Sequence, residues 1–119
     1  MCGRYKLATP AEVLRDAFGF VERPNLPARD NVAPTQEAPV MRQRRHPAGE
    51  RTVQNLRWGL IPSWAKDARI AASLINARAE SLASRPAFAK ALRQRRCAVL
   101  ADGFYDWSGE GVWPGSPIW

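Results

Sequence analysis

The sequence predicts a mixed α/β (α+β) domain. Three patterns carry that expectation. Two short stretches place apolar residues at helical spacing, each opening on a proline, Pro10 or Pro86. Two strand-like runs, 40–45 and 51–58, are joined by a turn-forming pentapeptide, and the apolar run 97–101 is typical of a buried strand. A chain of 119 residues holds one such domain with a modest core.

At the amino end, Lys6-Leu7-Ala8 extends Arg4-Tyr5 as a first strand. Thr9 is a good N-cap, Pro10 suits the first helical position, and Glu12 completes a Thr-x-x-Glu capping box. Val13, Leu14, Ala17 and Phe18 form the apolar face of this helix, and Gly19 is placed to end it. Residues 21–39 contain Pro24, Pro27, Pro34 and Pro39 and are expected to form an ordered loop, with Asn31-Val32-Ala33-Pro34-Thr35 as a polar turn. Long ordered loops in small domains often carry function. The hairpin 40–58 carries Arg42, Arg44, Arg45, Arg51 and Arg57, and its turn holds His46, the sole histidine, which reads as solvated.

Trp58 and Trp64 flank an apolar segment broken by Gly59 and Pro62. Trp58 reads first as core, whereas Trp64 is open to a surface role; an exposed indole can stack a base, worth about 1–3 kcal/mol. In Ile75-Asn76-Ala77-Arg78-Ala79-Glu80, polar residues alternate with small ones, which puts Asn76, Arg78 and Glu80 on one face of an extended segment. A helix start with ordinary capping and salt-bridge residues accounts for the same pattern. Residues 86–95 read as a second helix with Phe88, Ala91 and Leu92 inward, and its cations Lys90, Arg93, Arg95 and Arg96 complement the helix dipole. Cys97 reads as a buried small hydrophobe. The tail, 108–119, is rich in Gly, Pro and Trp and has no strand-length pattern.

The formal charge is +7, from 18 Lys and Arg against 11 Asp and Glu, and arginine dominates the cations. Arginine suits bidentate phosphate contact, so a polyanionic partner is suggested, although a merely soluble cationic surface accounts for charge alone nearly as well. Cys2 and Cys97, far apart, make neither a disulfide framework nor a metal pattern, so no metal or cofactor is expected. No signal-peptide pattern and no apolar run near the ~18 residues of a membrane span is present, so a cytoplasmic, nucleoid-associated location is expected.

Cys2 is preceded only by Met1. With Met1 removed, it carries an amine and a thiol on adjacent carbons. Such a 1,2-aminothiol condenses with an aldehyde to an imine, on which the thiolate closes a five-membered thiazolidine. The same terminus also fits an N-terminal nucleophile with its own base. Taken alone, the position is read more simply as a chance cysteine at a fraying end.

Several motifs in register then bear on that choice: Met1-Cys2-Gly3-Arg4-Tyr5, Asn31-Val32-Ala33-Pro34-Thr35, Arg57 to Trp64, Ile75 to Glu80, Arg85-Pro86-Ala87-Phe88, and Arg96 to Trp107. Together they resemble the SOS-response-associated peptidase (SRAP) family, the abasic-site processing proteins. The resemblance covers residues 1–107 and matches the N-terminal half of the family domain. It implies a curved, partly closed β-barrel-like sheet with flanking helices, here incomplete, and a basic groove for single-stranded DNA. It implies that Cys2 is the nucleophile that forms a thiazolidine with a ring-opened abasic sugar, after autoproteolytic removal of Met1. It implies that Asn76 holds the sugar, that Arg4 and Arg78 grip phosphates, and that Pro39, Trp64 and the Arg57-Trp58 segment shape the groove and stack or wedge bases. Asp106 stands where the family has Glu, an acid implicated in proton transfer; it is one methylene shorter, and such transfer needs a reach of about 2.6–3.2 Å. The family's second half, with its catalytic His in a His-x-Arg-Met-Pro type motif, has no match here, so 108–119 is expected to be a divergent tail. A monomer acting on abasic single-stranded DNA, with no membrane partner, is the leading expectation. The alternatives are a thiol peptidase or amidohydrolase, and an inactive truncated family member that only binds DNA.

Overall fold

The computed structural model describes residues 2–107 and 117–118. Its elements in chain order are β1 (Arg4–Leu7), α1 (Ala11–Phe18), β2 (Arg29–Val32), β3 (Glu37–Gln43), β4 (Arg51–Arg57), two 3-10 turns (Ala68–Ser73 and Ala79–Ser81), α2 (Pro86–Gln94), β5 (Ala98–Val99), β6 (Gly103–Trp107) and β7 (Pro117–Ile118). The mixed α/β expectation holds. The strands form two antiparallel sheets, β2-β1-β6 extended by β7, and β4-β3-β5, and among the described residues they do not close into a barrel.

The core joins both sheets. β1 points Tyr5 and Leu7 inward at period two, where they meet Leu14 of α1, Phe20, Val32 of β2, Ala38 of β3 and Leu100. The predicted apolar face of α1 shrinks to Leu14: Val13 is 55% and Phe18 39% exposed. Gly19, at φ 67°, ends the helix in the left-handed conformation and turns the chain so that Phe20 is buried instead. The turn is then tied to β4 by the Arg51 guanidinium on the Phe18 carbonyl, and Glu22 accepts from the Thr52 hydroxyl and, at 3.1 Å, from the Val53 N–H.

The region expected as one loop contains β2 and the start of β3. Val32, expected in a polar turn, is fully buried. Pro39 sits inside β3, and the geometry explains why the strand tolerates it. Beyond the two ends of the β3–β4 ladder, Trp58 N–H donates to the Gln36 carbonyl and Arg44 N–H to the Glu50 carbonyl. Antiparallel pairing alternates in direction, so the even-numbered residues of β3 face β4 and the ring nitrogen of Pro39 faces the other way. There β5 pairs only with Val40 and Met41, so no donor is required of Pro39. Cys97, expected to be buried, is exposed, as are Ala98 and Val99, because β5 is a two-residue edge strand covered by nothing among the described residues; only Leu100 enters the core.

The capping box does not form. The N-cap of α1 is Pro10, and the Thr9 hydroxyl donates to Asp102 Oδ1 at 2.7 Å, while the Ala8 and Thr9 N–H groups donate to Oδ2 at 2.6 and 3.1 Å. A carboxylate distant in sequence thus caps the β1–α1 junction. The Thr9 hydroxyl above all, and then the Ala8 N–H, hold the Asp102 carboxyl below the usual aspartate range. Folding therefore favours the ionised form. Its stabilisation is complete above the unfolded value of about 3.9 and is lost as pH falls through the lower folded value. Asp102→Ala is expected to cost about 1–2 kcal/mol at neutral pH. At about 4–8 °C per kcal/mol, thermal denaturation should show a clear drop in Tm, and the gap from the parent should narrow below about pH 4. Parallel Tm curves down to pH 2 would remove Asp102 from this role.

Candidate functional site

The site begins with a close approach of two backbones. After β4 the chain passes through Trp58 to Gly59, which sits at φ 130°; a Cβ there would lie 2.7 Å from the Ala71 carbonyl oxygen. Only glycine permits this contact. It brings the 57–60 segment against the 3-10 turn 68–73. Leu60 N–H then donates to the Leu74 carbonyl at 3.0 Å and the Trp58 indole N–H to the Ile75 carbonyl at 2.7 Å. Leu74 to Arg78 lies between two 3-10 turns, so its path is set by these bonds. Its product is the position of Asn76, whose side-chain N–H donates to the Cys2 carbonyl at 2.6 Å.

From the other side, β1 aims the amino end. Its Tyr5 packs its ring 5.7 Å from that of Trp58, which makes a floor beneath Cys2. The Tyr5 hydroxyl has no hydrogen-bond partner among the described residues, and burial raises the pKa of this phenol, with the Arg29 guanidinium opposing that rise, so it stays protonated. The Cys2 thiol lies 3.7 Å from the Arg4 carbonyl. Met1 lies outside the described residues, and with it the question of its removal.

Cys2, Asn76, Trp58 and Arg57 line one cleft of about 820 Å³ between the two sheets. Four of the predicted site residues thus converge. The others take different positions. Asp106 is half-buried on β6, one step past the Arg4–Tyr105 pair and so level with Gly3. It shares a face with Phe104, which lines the cleft. Arg4 is exposed and donates to Asn31 Oδ1 at 3.0 Å. Arg78 is exposed and extended, two residues beyond Asn76. Pro39 is buried on the face of β3 opposite the cleft-lining Ala38, Val40 and Arg42. Trp64 is 58% exposed and lines a separate shallow hollow.

Sequence reasoning missed Arg42, Arg95, Cys97 and Phe104 as cleft residues. Arg42 was within reach: it follows Ala38 and Val40 at period two, on one face of a strand. Of the five hairpin arginines, only Arg42 and Arg57 line the cleft. Arg44 pairs with Glu22 and Glu50 at 3.2 and 2.8 Å, and Arg51 holds the Phe18 carbonyl. Among the described residues no acidic side chain lines the cleft. None of them form a His, Cys, Asp and Glu cluster suited to a metal, and no helix is long and apolar enough to cross a membrane.

Fold and site thus define an α+β domain that presents an amino-terminal cysteine in a cation-rimmed cleft. The chain belongs to the SOS response associated peptidase (SRAP) family, which it matches over residues 1–117. It is 38% identical over 110 residues to the abasic site processing protein YoaM of Bacillus subtilis, covering 90% of this chain and 47% of that protein. It is 34% identical over 128 residues to the abasic site processing protein HMCES of Mus musculus, covering 90% and 36%. The chain therefore spans about half the length, or less, of the curated relatives it matches. The crystal structure of a Bacteroides thetaiotaomicron protein shares the fold, with a TM-score of 0.73 at 23% identity over 98% of this chain and 52% of that one.

Gly59→Ala tests the contact that positions Asn76. A strained positive φ and the clash with Ala71 together are expected to cost about 1–3 kcal/mol, or roughly 10 °C in Tm at this size. Hydrogen exchange at Leu60, whose amide bonds to Leu74, should speed up most. A Tm within a degree of the parent would show that the contact is dispensable.

Proposed function

We propose that the protein captures abasic sites in single-stranded DNA through Cys2, as part of a DNA-damage response. The observation that carries this reading is the hydrogen bond from Asn76 to the Cys2 carbonyl, inside a cleft with an apolar floor, arginines on its rim and no lining acid. The names of the relatives, abasic site processing proteins, support the same reading.

The chemistry follows from the aminothiol. The α-amine of Cys2, exposed once Met1 has gone, adds to the aldehyde carbon of a ring-opened abasic sugar. The resulting carbinolamine loses its hydroxyl as water to give an imine. The thiolate adds to the imine carbon, the nitrogen takes up a proton, and the thiazolidine closes. Two bonds to carbon form, C–N and C–S, and the aldehyde oxygen leaves as one water, with no oxidant or reductant needed.

Asn76 holds Cys2 by its carbonyl and keeps its side-chain oxygen for the sugar hydroxyls. Asp106, on β6 level with Gly3, relays protons in the dehydration. Arg4, Arg57 and Arg78 meet phosphates, since phosphate contact fixes the strand without reading sequence. Trp58 floors the site, Trp64 stacks a base, and Pro39 shapes the groove from behind β3.

The test is a denaturing gel of purified protein, with Met1 shown by mass to be absent, mixed with a single-stranded oligonucleotide carrying one abasic site. A slower band is expected with the abasic strand only, absent in Cys2→Ala and formed about 10–100-fold more slowly in Asn76→Ala through loss of its hydrogen bonds. Equal crosslinking by Cys2→Ala would sink the proposal. Salt-sensitive binding, equal for intact and abasic strands and without a covalent band, would leave a DNA-binding module in its place.

A further inference from the structure

The cleft that holds Cys2 is more apolar than a phosphate backbone needs. Tyr5, Val40, Leu56, Trp58, Leu60 and Phe104 all line it, and Leu56 and Phe104 lie open to solvent. Beyond Tyr5 and the two cysteines, its polar side chains are Asn76 and the arginines Arg42, Arg57 and Arg95. A cavity of about 820 Å³ with apolar walls and a few convergent polar groups has the anatomy of a small-molecule pocket. A DNA strand uses only part of it, because a sugar that has lost its base brings no apolar body to the walls. The reaction at Cys2 does not itself select DNA either. An aminothiol closes on any aldehyde carbon that reaches it, so selection falls to the cleft. The groups around Cys2 follow one short path: Asn76 donates to the Cys2 carbonyl at 2.6 Å, the neighbouring Ile75 carbonyl accepts from the Trp58 indole at 2.7 Å, and Arg57 is the residue before Trp58. An aromatic floor and a guanidinium are thus tied to the segment that holds the terminus.

We propose that the Cys2 cleft is also a site for free aldehydes of low mass that carry an apolar body and an anionic group, an aromatic aldehyde acid being the simplest case. The body packs against Tyr5 and Trp58, the anionic group meets Arg57, and the aldehyde carbon faces Cys2. The amine and the thiol of Cys2 each give up one proton, one C–N and one C–S bond form at the aldehyde carbon, and its oxygen leaves with the two protons as one water. No oxidant or reductant enters. This rests on the reading of Cys2 as a free aminothiol and requires no strand. A Cys2 closed into a thiazolidine has no nucleophile left, so an aldehyde of this class holds the terminus back from DNA until the ring hydrolyses.

The experiment follows adduct formation by mass in the full chain, with Met1 shown to be absent. Three aldehydes are compared: 4-formylbenzoate, with ring and charge; 4-formylbenzamide, with the ring alone; and glyoxylate, with the charge alone. Each rate is divided by the rate of the same aldehyde with a short peptide that begins Cys-Gly, which removes its intrinsic reactivity. The ratio for 4-formylbenzoate is expected to exceed the other two by about ten- to hundredfold, the size of one hydrogen bond to a charged group or one buried ring. Arg57→Ala is expected to bring it down to the 4-formylbenzamide ratio, and Arg57→Lys to restore part of the gap. Arg57 is exposed, and Tm reports that each variant folds. Equal ratios for the three aldehydes, or a gap untouched by Arg57→Ala, would overturn the pocket. A single-stranded abasic oligonucleotide run in parallel separates the two readings. Crosslinking of that strand with no preference among the aldehydes overturns the pocket and leaves the DNA reading standing. Preference among the aldehydes without a crosslink does the reverse, and no adduct of any kind removes both.

Discussion

The approach of Gly59 to the Ala71 carbonyl is the constraint on which the site depends. The 74–78 segment has no helix or strand of its own to fix it, and its two anchors, from Leu60 N–H and the Trp58 indole, both come from residues flanking Gly59. Any side chain at position 59 separates the two backbones and loosens both bonds. The same Trp58 packs on Tyr5 of β1, so one short segment orients the floor of the cleft and the asparagine above it. β1 in turn is held between β2 and β6. Cys2 is therefore constrained from three directions although it lies outside every ladder.

Charge is distributed by the same economy. Several arginines are committed to the fold: Arg29 to Gln36 and the Glu37 carbonyl, Arg44 to Glu22 and Glu50, Arg51 to the Phe18 carbonyl. Exposed pairs of this kind add little to stability, and their effect is to orient loops. Arg42, Arg57 and Arg95 instead line the cleft, where no described acid opposes them. A concave surface lined by one sign of charge over an apolar floor concentrates the field, so the net positive charge of the chain acts at the cleft rather than uniformly over the surface.

What is legible in the sequence follows the range of the interactions. The hairpin, α2 and the glycine stop of α1 rest on interactions within a few residues, and the sequence pattern reads them correctly. The cap of α1 escapes it because the true partner, Asp102, is 93 residues from Thr9 and no local pattern announces it. Asn76 shows the same limit: its pattern admits a plain helix start, and the Cys2 carbonyl that gives it meaning is 74 residues away. Pro39 reads as part of a proline-rich loop, yet it lies inside β3, because a proline facing the unpaired side of a strand breaks nothing and facing is a property of register. Cys97 reads as buried from its apolar neighbours, but burial needs a covering layer, and β5 has none among the described residues.

The way Cys2 is held bears on how it reacts. Once Met1 is removed, as the proposed reaction requires, its Cα carries an amine, a thiol-bearing Cβ and a carbonyl, and ring closure would consume the first two. Asn76 grips the third. The anchor therefore costs no nucleophile, and the amine and thiol keep the freedom needed to meet one carbon from adjacent positions. A hydrogen bond to the amine would have lowered its nucleophilicity, and a firm grip on the thiol would have opposed the rotation that closes the ring. In the proposed reaction the cleft would supply the remainder through strand position: arginines that line it would meet phosphates, Tyr5 and Trp58 line it beside Cys2, and the aldehyde carbon would be brought to that residue. In the proposed reaction, placement rather than activation of the thiol is the main contribution this arrangement would make, and proximity of this kind converts a bimolecular condensation into an effectively intramolecular one.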